Sequence, residues 1–270
     1  MFSSQDHSGY KMLSKSKAGL IISLQKKKVR EEKHLFVIEG DKIVRDFLAS
    51  GLKISTLVGV PEFLESIPDS RRQQITEVIR ATGGDLKKVS SLKTPHNALA
   101  IIEMADIKIS DSNPEKGLSI ALDCIQDPGN LGTIIRSAAW FGIKTIYCSK
   151  DCADAYNPKV IQSSMGSIIH VNVIYDDLQK ILEFASCKKI RIFGAVLGGE
   201  SIYSHMLVKN GIILLGNESR GISEGLLPFI TDKITIPGHQ GSKAVIDSLN
   251  VGMAASIIFS EFSRRSEYLV

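Results

Sequence analysis

Three long apolar runs in the second half of the chain constrain its fold more than any other feature. They read LSIALDCI (Leu118 to Ile125), IRIFGAVL (Ile190 to Leu197) and GIILLGNE (Gly211 to Glu218). Each is almost continuously apolar, which is typical of a parallel strand buried on both faces. Helical segments alternate with these runs, and such alternation favours a mostly parallel sheet with helices on both of its faces. The sequence therefore predicts an α/β protein.

The first hundred residues alternate between helix and strand on a smaller scale, as judged from periodicity and from the glycines that end the segments. The predicted helices cover residues 11–30, 41–51 and 71–80, and the predicted strands cover 34–40, 54–60 and 98–104. Besides the three apolar runs, the second half has predicted strands at 144–149 and 233–237 and predicted helices from 130, from 158 and over 248–261.

A segment rich in Ser, Asp, Asn, Pro and Gly separates the two halves. It reads KISDSNPEKG, and this composition is typical of a linker between domains. We therefore predict a small N-terminal α/β domain over residues 1–105, a linker over 106–117 and a larger α/β domain with a mostly parallel sheet over 118–270.

Composition excludes several classes of protein. With 43% hydrophobic and 23% charged residues the chain is ordinary for a globular protein, and no apolar run is long enough to cross a bilayer. The first residues lack the apolar core of a secretory signal, so we expect a cytoplasmic protein. No second Cys/His pair follows Cys148 and Cys152 at zinc-site spacing. We therefore expect reduced structural thiols and no bound metal.

Positive charge is concentrated near the start of the chain. The formal net charge of the whole chain is +4. Composition leaves two interpretations open, a solvated basic helix or an arm that contacts nucleic-acid phosphates. The basic residues of this segment are Lys11, Lys15, Lys17, Lys26, Lys27, Lys28, Arg30 and Lys33.

Three polar loops follow predicted strands of the second domain. They are QDPGN (Gln126 to Asn130), GNESRGIS (Gly216 to Ser223) and IPGHQGSKAVIDSLN (Ile236 to Asn250). Ligands bind at the carboxyl ends of the strands in such sheets, so these loops are the candidate site. The sequence has no G-x-G-x-x-G after a strand, no P-loop and no H-E-x-x-H, which disfavours a dinucleotide, nucleoside triphosphate or zinc-protease site.

The same loops carry a family resemblance. NLGTIIRSAAWFG, LLGNESRGIS and ITIPG…SLNVGMAASI resemble, in this order, the three motifs of the SpoU (TrmH) family of RNA methyltransferases. NPKVIQSSMGSIIHV also looks like that family, and the likeness spans residues 118–262. FVIEGDKIVRDFLASG is similar to the small substrate-binding domain that often precedes the catalytic domain.

The resemblance implies a fold and an activity. The family's catalytic domain is a SPOUT α/β sheet with a trefoil knot, and its members are typically homodimers. They transfer a methyl group from S-adenosylmethionine to a ribose 2′-hydroxyl of rRNA or tRNA, and we expect rRNA here. The alternatives are a non-catalytic RNA-binding or ribosome-assembly protein on the same fold, and an enzyme that methylates a tRNA base.

The resemblance also assigns catalytic roles. Arg136 matches the motif arginine that activates the ribose hydroxyl, and we expect a cation that steadies the alkoxide rather than a base. Its alternative is an exposed helix arginine stacked on Trp140. Asn130 matches the asparagine of the first motif, with helix capping as its alternative.

Residues of the second and third motifs complete the predicted catalytic set. Glu218 is expected to hold Arg136 or Asn130, or else to cap a helix start. Ser248 and Asn250 match the third motif, and their alternative is to cap the last helix.

Backbone groups of the knotted loops are expected to bind the cofactor. Gly216 and Gly221 fit a loop that passes close to a ligand, whereas core packing is an equal alternative for Ile236 and Leu249. The segment 238–247 is longer than the family connection and can alter the pocket rim or bring Lys243 to RNA. The expected cofactor-binding residues are Leu197, Gly216, Asn217, Gly221, Ile236 and Leu249.

Overall fold

The computed structural model describes residues 11–107, 114–115, 117–238 and 248–267. The chain forms two compact units. The first contains residues up to Asp106 together with Tyr156–Ile169, and the second contains Ile107–Ala155 and the chain from His170 onwards. The segment Tyr156–Ile169 therefore packs with the first unit, although the predicted boundary assigns it to the second domain. Most of the predicted linker lies outside the described residues.

The first unit is built on a five-stranded sheet of order β1-β4-β3-β5-β2. β1, β4 and β3 pair in parallel, whereas β5 runs antiparallel to both β3 and β2. The sheet is therefore mixed. The strands are β1 (Lys11–Met12), β2 (Leu35–Glu39), β3 (Ile54–Gly59), β4 (Ile75–Arg80) and β5 (Ala98–Glu103).

Helices cover the apolar residues of this sheet. On α3 the buried positions are spaced as one helical face, and they join a core that also includes Ile161 of the segment Tyr156–Ile169. The helices are α1 (Lys15–Ser23), α2 (Lys27–Lys33), α3 (Asp41–Ser50), α4 (Pro61–Glu65), α5 (Asp69–Arg72) and α6 (Gly83–Val89).

Two predicted helices of the first unit are wrong in part. The helix predicted over 71–80 is only the short α5 followed by β4, because the β-branched residues after Gln74 pair as a strand between β1 and β3. The helix predicted over 11–30 is β1, α1 and α2, since the chain turns after α1. Arg30 fixes this turn by donating to the carbonyls of Leu24 and Gln25, both at 2.8 Å.

The second unit contains a six-stranded sheet of order β11-β9-β10-β6-β7-β8, in which every pair is parallel. The three apolar runs form its three adjacent strands β9, β10 and β6, so the predicted parallel sheet is confirmed. The strands are β6 (Leu118–Leu122), β7 (Thr145–Cys148), β8 (Asn172–Tyr175), β9 (Ile192–Ser201), β10 (Gly211–Leu215) and β11 (Asp232–Thr235).

Helices cover both faces of this sheet, as predicted. On one face Leu182 packs in a core with Leu214, whereas on the other the ring of Phe193 lies 4.9 Å from that of Phe262. The remaining helices among the described residues are α7 (Pro128–Trp140), α8 (Pro158–Ser163, in the first unit), α9 (Leu178–Cys187) and α10 (Val251–Glu267), with 3₁₀ helices at Ser167–His170 and Glu224–Phe229. No helix in the described ranges is long and apolar enough to span a membrane.

Helices α7 and α10 pack side by side with their N-termini together. A Cβ on Gly252 would lie 3.0 Å from the Thr133 methyl carbon. Four residues further along each helix, the hydroxyls of Ser137 and Ser256 are 2.6 Å apart. Because the second contact lies about one turn after the first on both helices, the two helices run in the same direction. Their N-terminal ends, which carry Asn130 and Asn250, are therefore neighbours.

Candidate active site

The first turn of α7 is capped by Asp127, whose carboxylate accepts the backbone N–H of Asn130 at 3.0 Å. Pro128 occupies the first helical position, where its missing N–H costs nothing. The prediction that Asn130 caps this helix is therefore wrong, because the cap lies three residues earlier. The side chain of Asn130 remains available for other contacts.

Three side chains from three distant loops form a hydrogen-bonded ring at the N-termini of α7 and α10. Asn130 donates its amide N–H to Glu218, and Asn250 donates to the amide oxygen of Asn130 at 2.8 Å. Asn250 also donates to Glu218 at 3.1 Å. All three side chains belong to solvent-exposed or partly exposed residues. The structure thus brings together one predicted catalytic residue from each motif.

The direction of these bonds is fixed by α10. The side-chain oxygen of Asn250 accepts the backbone N–H groups of Gly252 and Met253 at 3.0 and 3.2 Å, so Asn250 is the cap of this helix. Its amide nitrogen must then point into the ring. Asn250 therefore fulfils both of its alternative roles, since its oxygen caps α10 and its nitrogen takes part in the ring. A carboxylate accepts only, which suits Glu218 as the end point of both amide donors.

The loop 216–221, here called the glutamate loop, is held rigid by the side chain of Asn217. Its oxygen accepts the N–H groups of Ser219 and Arg220 at 3.0 and 3.2 Å, and its nitrogen donates to the carbonyl of Cys124 at 2.9 Å. Two backbone hydrogen bonds of 2.9 and 2.8 Å also join Asn217 and Gly221. Glu218 is therefore presented by a tight turn, not by a helix start, so the predicted capping alternative is wrong.

Glycine is required twice in the glutamate loop. A Cβ on Gly216 would lie 2.3 Å from the carbonyl carbon of Gly221, which no side chain tolerates. Gly221 has a φ of +70°, in the left-handed region. The close approach that requires glycine at position 216 is therefore one of the loop's own backbone, and the predicted approach to a ligand stays a prediction.

Arg136 and Ser248 stand apart from the ring. Arg136 is exposed on α7 and makes no hydrogen bond or ion pair with the part of the chain that the structure describes. Of the two predicted partners of Glu218, the structure shows Asn130 and not Arg136. Ser248 is exposed, and no described residue of the ring bonds it.

The predicted cofactor residues lie around the same edge of the sheet. β9 pairs with β10 only up to Gly194 and Leu214, so Leu197, in the later part of β9, and Gly216, directly after β10, both lie beyond the last paired residues. Leu197 is 78% exposed and Leu249, beside Asn250, is 49% exposed. Ile236 follows the end of β11 and is half-buried.

Exposed apolar side chains suit contact with a purine ring and ribose. Met253, three residues after Asn250 in the first turn of α10, is another such side chain and is 61% exposed. It is not among the residues that the sequence predicts. The segment 239–247, including Lys243, lies outside the described residues.

The cysteines are free thiols, of which Cys124, Cys148 and Cys152 are buried. A hydrogen bond with Asp151, together with burial, raises the pKa of Cys124 to about 11. A hydrogen bond from Cys148 lowers the pKa of Cys152 to about 7. Within the described ranges no group of His, Cys, Asp and Glu could hold a metal ion.

Comparison with known proteins defines the class. Residues 117–260 match the SpoU rRNA Methylase family, and residues 19–100 match the MRM3-like substrate binding domain. The chain belongs to the SpoU rRNA methylase family. The predicted family and the predicted class of enzyme, an RNA methyltransferase, are confirmed.

Relatives with established names agree with this assignment. The chain is 27% identical to the 23S rRNA (guanosine(2553)-2′-O)-methyltransferase RlmP of Bacillus subtilis, over 87% of this chain and 91% of that protein. It is 32% identical to the mitochondrial rRNA methyltransferase 3 of Xenopus laevis over 62% of this chain, which is 40% of that longer protein.

Solved structures of the same family resemble this chain over most of its length. A TrmH family protein from Porphyromonas gingivalis superposes with a TM-score of 0.82 and 34% identity, covering 94% of this chain and 99% of that one. An AdoMet-bound rRNA methyltransferase from Sinorhizobium meliloti superposes with a TM-score of 0.82 and 25% identity, covering 99% and 98%.

Proposed function

We propose that the protein transfers a methyl group from S-adenosylmethionine to a ribose 2′-hydroxyl of large-subunit rRNA. The observation that carries the proposal is the hydrogen-bonded ring of Asn130, Glu218 and Asn250 at the N-terminus of α7, the helix that bears the exposed Arg136. RlmP, which matches over most of both chains, is named for this reaction on 23S rRNA.

The cofactor would lie against the apolar surface of Leu197, Leu249 and Met253 and the backbone of the glutamate loop. When bound, S-adenosylmethionine supplies a methyl group on a sulfonium, which is already a good donor. The protein's contribution is therefore mainly positioning of the acceptor. The remaining motif residues keep the roles that the family resemblance implies. Ser248 belongs to the catalytic set, and the residues that contribute to cofactor binding are Gly216, Asn217, Gly221 and Ile236.

Arg136 acts on the acceptor hydroxyl. A guanidinium stays protonated in proteins, so it cannot serve as a base. It instead stabilises the developing alkoxide by charge-assisted hydrogen bonds, while an RNA phosphate accepts the proton. The ring supports this arrangement because it fixes the N-terminus of α7 through Asn130.

The first unit binds the RNA around the target nucleotide. Its match to a substrate-binding domain and the exposed lysines of α2 support this role. We further propose that the active protein is a homodimer with a knotted C-terminal chain, as the family implies. The cytoplasm remains the predicted compartment.

The decisive test maps ribose methylation on an unmodified large-subunit rRNA transcript treated with the protein and S-adenosylmethionine. Because a 2′-O-methyl group blocks alkaline cleavage at the adjacent phosphodiester, one protected position is expected. Methyl transfer without protection would indicate base methylation. Binding of RNA without any transfer would support the non-catalytic alternative.

A further inference from the structure

Arg220, in the glutamate loop, has an unusual partner. Its side chain donates to the sulfur of Cys124 at 2.8 Å. The residue is exposed, and Asp151 attracts it through charge without a salt-bridge contact in the described part of the chain. A cation that is held by a thiol keeps its charge and most of its five N–H donors available.

The thiol is a weak partner for a guanidinium. The hydrogen bond with Asp151 and burial raise the pKa of Cys124 to about 11, so the sulfur is neutral at physiological pH. A neutral thiol is a poor hydrogen-bond acceptor. Asp151 is already bonded to the hydroxyl of Ser149 at 2.5 Å. The contact therefore positions Arg220 without neutralising it.

The position of Arg220 relative to the catalytic ring is fixed by the backbone. Arg220 lies two residues after Glu218, and its own N–H is held by Asn217 at 3.2 Å. The carbonyl of Cys124 accepts from the same Asn217 side chain at 2.9 Å. The guanidinium is thus anchored between the end of β6 and the loop that presents Glu218.

The chemistry of RNA places an anion at this point. In an RNA chain the 2′-hydroxyl is on C2′ of the ribose, and the neighbouring carbon C3′ carries the 3′-phosphate through its oxygen. A hydroxyl that is positioned for methyl transfer therefore brings a phosphate into the site. Arginine binds phosphate by two parallel charge-assisted hydrogen bonds, which are much stronger than a bond to sulfur.

We propose that Arg220 leaves Cys124 when RNA binds and holds the phosphate adjacent to the methylated ribose. This inference rests on the proposed function. It divides the work between two arginines, since Arg136 faces the hydroxyl and Arg220 faces the backbone phosphate. The phosphate subsite then sets the register of the RNA strand over the ring.

The test compares Arg220→Gln with the unaltered full-length protein in binding an unmodified large-subunit rRNA transcript over a range of salt concentrations. Loss of one phosphate contact lowers the slope of log K against log salt by about 0.7 for a single strand. We expect this decrease, with a roughly tenfold higher KM for RNA and unchanged affinity for S-adenosylmethionine. Arg264→Gln, which removes the same charge from a half-exposed side chain on α10, should leave the slope unaltered.

A second variant separates phosphate binding from a structural role. Cys124→Ala removes the contact with sulfur and keeps the arginine, so it should retain the normal salt slope. An unchanged slope in Arg220→Gln, or an equal decrease in both variants, would overturn the proposal. The slope is measured without turnover. If Arg220→Gln lowers the salt slope but the unaltered protein transfers no methyl group, the proposed function is refuted and the phosphate subsite is not.

Discussion

The basic N-terminal segment and the loop edge of the second unit both carry cations that suggest RNA, yet the structure treats them differently. In the N-terminal segment Arg30 is 2% exposed and donates to two backbone carbonyls. Lys11 and Lys17 both bind Glu77, at 3.1 and 2.6 Å. At least three of the cations there already have intramolecular partners.

The loop edge shows the opposite arrangement. Arg136 and Arg220 are exposed, and neither pairs with a carboxylate among the described residues. A cation whose donors are already bound within the fold stabilises the fold, whereas one with available donors can meet a substrate. The density of charge in a sequence does not distinguish these two kinds of cation, whereas their burial and pairing in the structure do.

The largest effect is expected for Arg136→Ala. Loss of the cation at the alkoxide should reduce kcat for methyl transfer by about 10³-fold, which corresponds to about 4 kcal/mol. The unfolding temperature and the affinity for S-adenosylmethionine should not change, because the exposed side chain makes no hydrogen bond or ion pair with a described residue. Single-turnover kinetics on the rRNA transcript measure the rate. Transfer within tenfold of the normal rate would show that Arg136 is not the catalytic cation.

Arg30→Met should lower the stability of the fold and leave RNA binding unchanged. The substitution leaves the carbonyls of Leu24 and Gln25 without their donor in a buried setting, which costs about 3 kcal/mol of unfolding free energy. Urea denaturation measures this loss. The salt slope of RNA binding should stay the same, since the guanidinium does not reach solvent. A smaller slope with normal stability would place Arg30 in the RNA interface instead.

Glu77→Gln tests the paired lysines. The hydrogen bond from Lys17 is the main reason why the pKa of Glu77 lies below its usual value. The pair therefore stabilises the fold above the ordinary glutamate pKa, and this contribution disappears as the pH falls through the lowered value. Because the side chains are partly exposed, the loss at neutral pH should be only about 1 kcal/mol. Below the lowered pKa, variant and parent should have equal stability, and a constant difference across pH would contradict this account.

Much of the candidate active site is predictable from the sequence, because the strand ends of a parallel sheet meet at one edge. The apolar runs locate β6, β9 and β10, and the polar loops that follow locate Asn130 and Glu218. The sequence leaves the partner of Glu218 open between Arg136 and Asn130, because it does not give the position of the glutamate loop relative to α7. The hydrogen bond from Asn130 decides this in the structure.

Other features depend on contacts that a linear pattern does not carry. The burial of Arg30 results from a turn between α1 and α2 that no periodicity marks. β4 is a strand because it has neighbours on both sides, although its local residues also suit a helix. The segment Tyr156–Ile169 packs with the first unit through Ile161, a contact between residues more than a hundred positions apart.

The smallest expected effect concerns the lysines that remain available in the N-terminal segment. Lys28 is exposed on α2 and has no hydrogen bond or ion pair within the described ranges, whereas Lys17 is bound to Glu77. Lys28→Gln should therefore lower the salt slope by up to about 0.7 and weaken RNA binding roughly threefold, without changing kcat. Lys17→Gln removes the same charge and should leave the slope unchanged, because its ammonium group is already paired. Equal slopes for the two variants would show that intramolecular pairing does not decide which of these cations meet RNA.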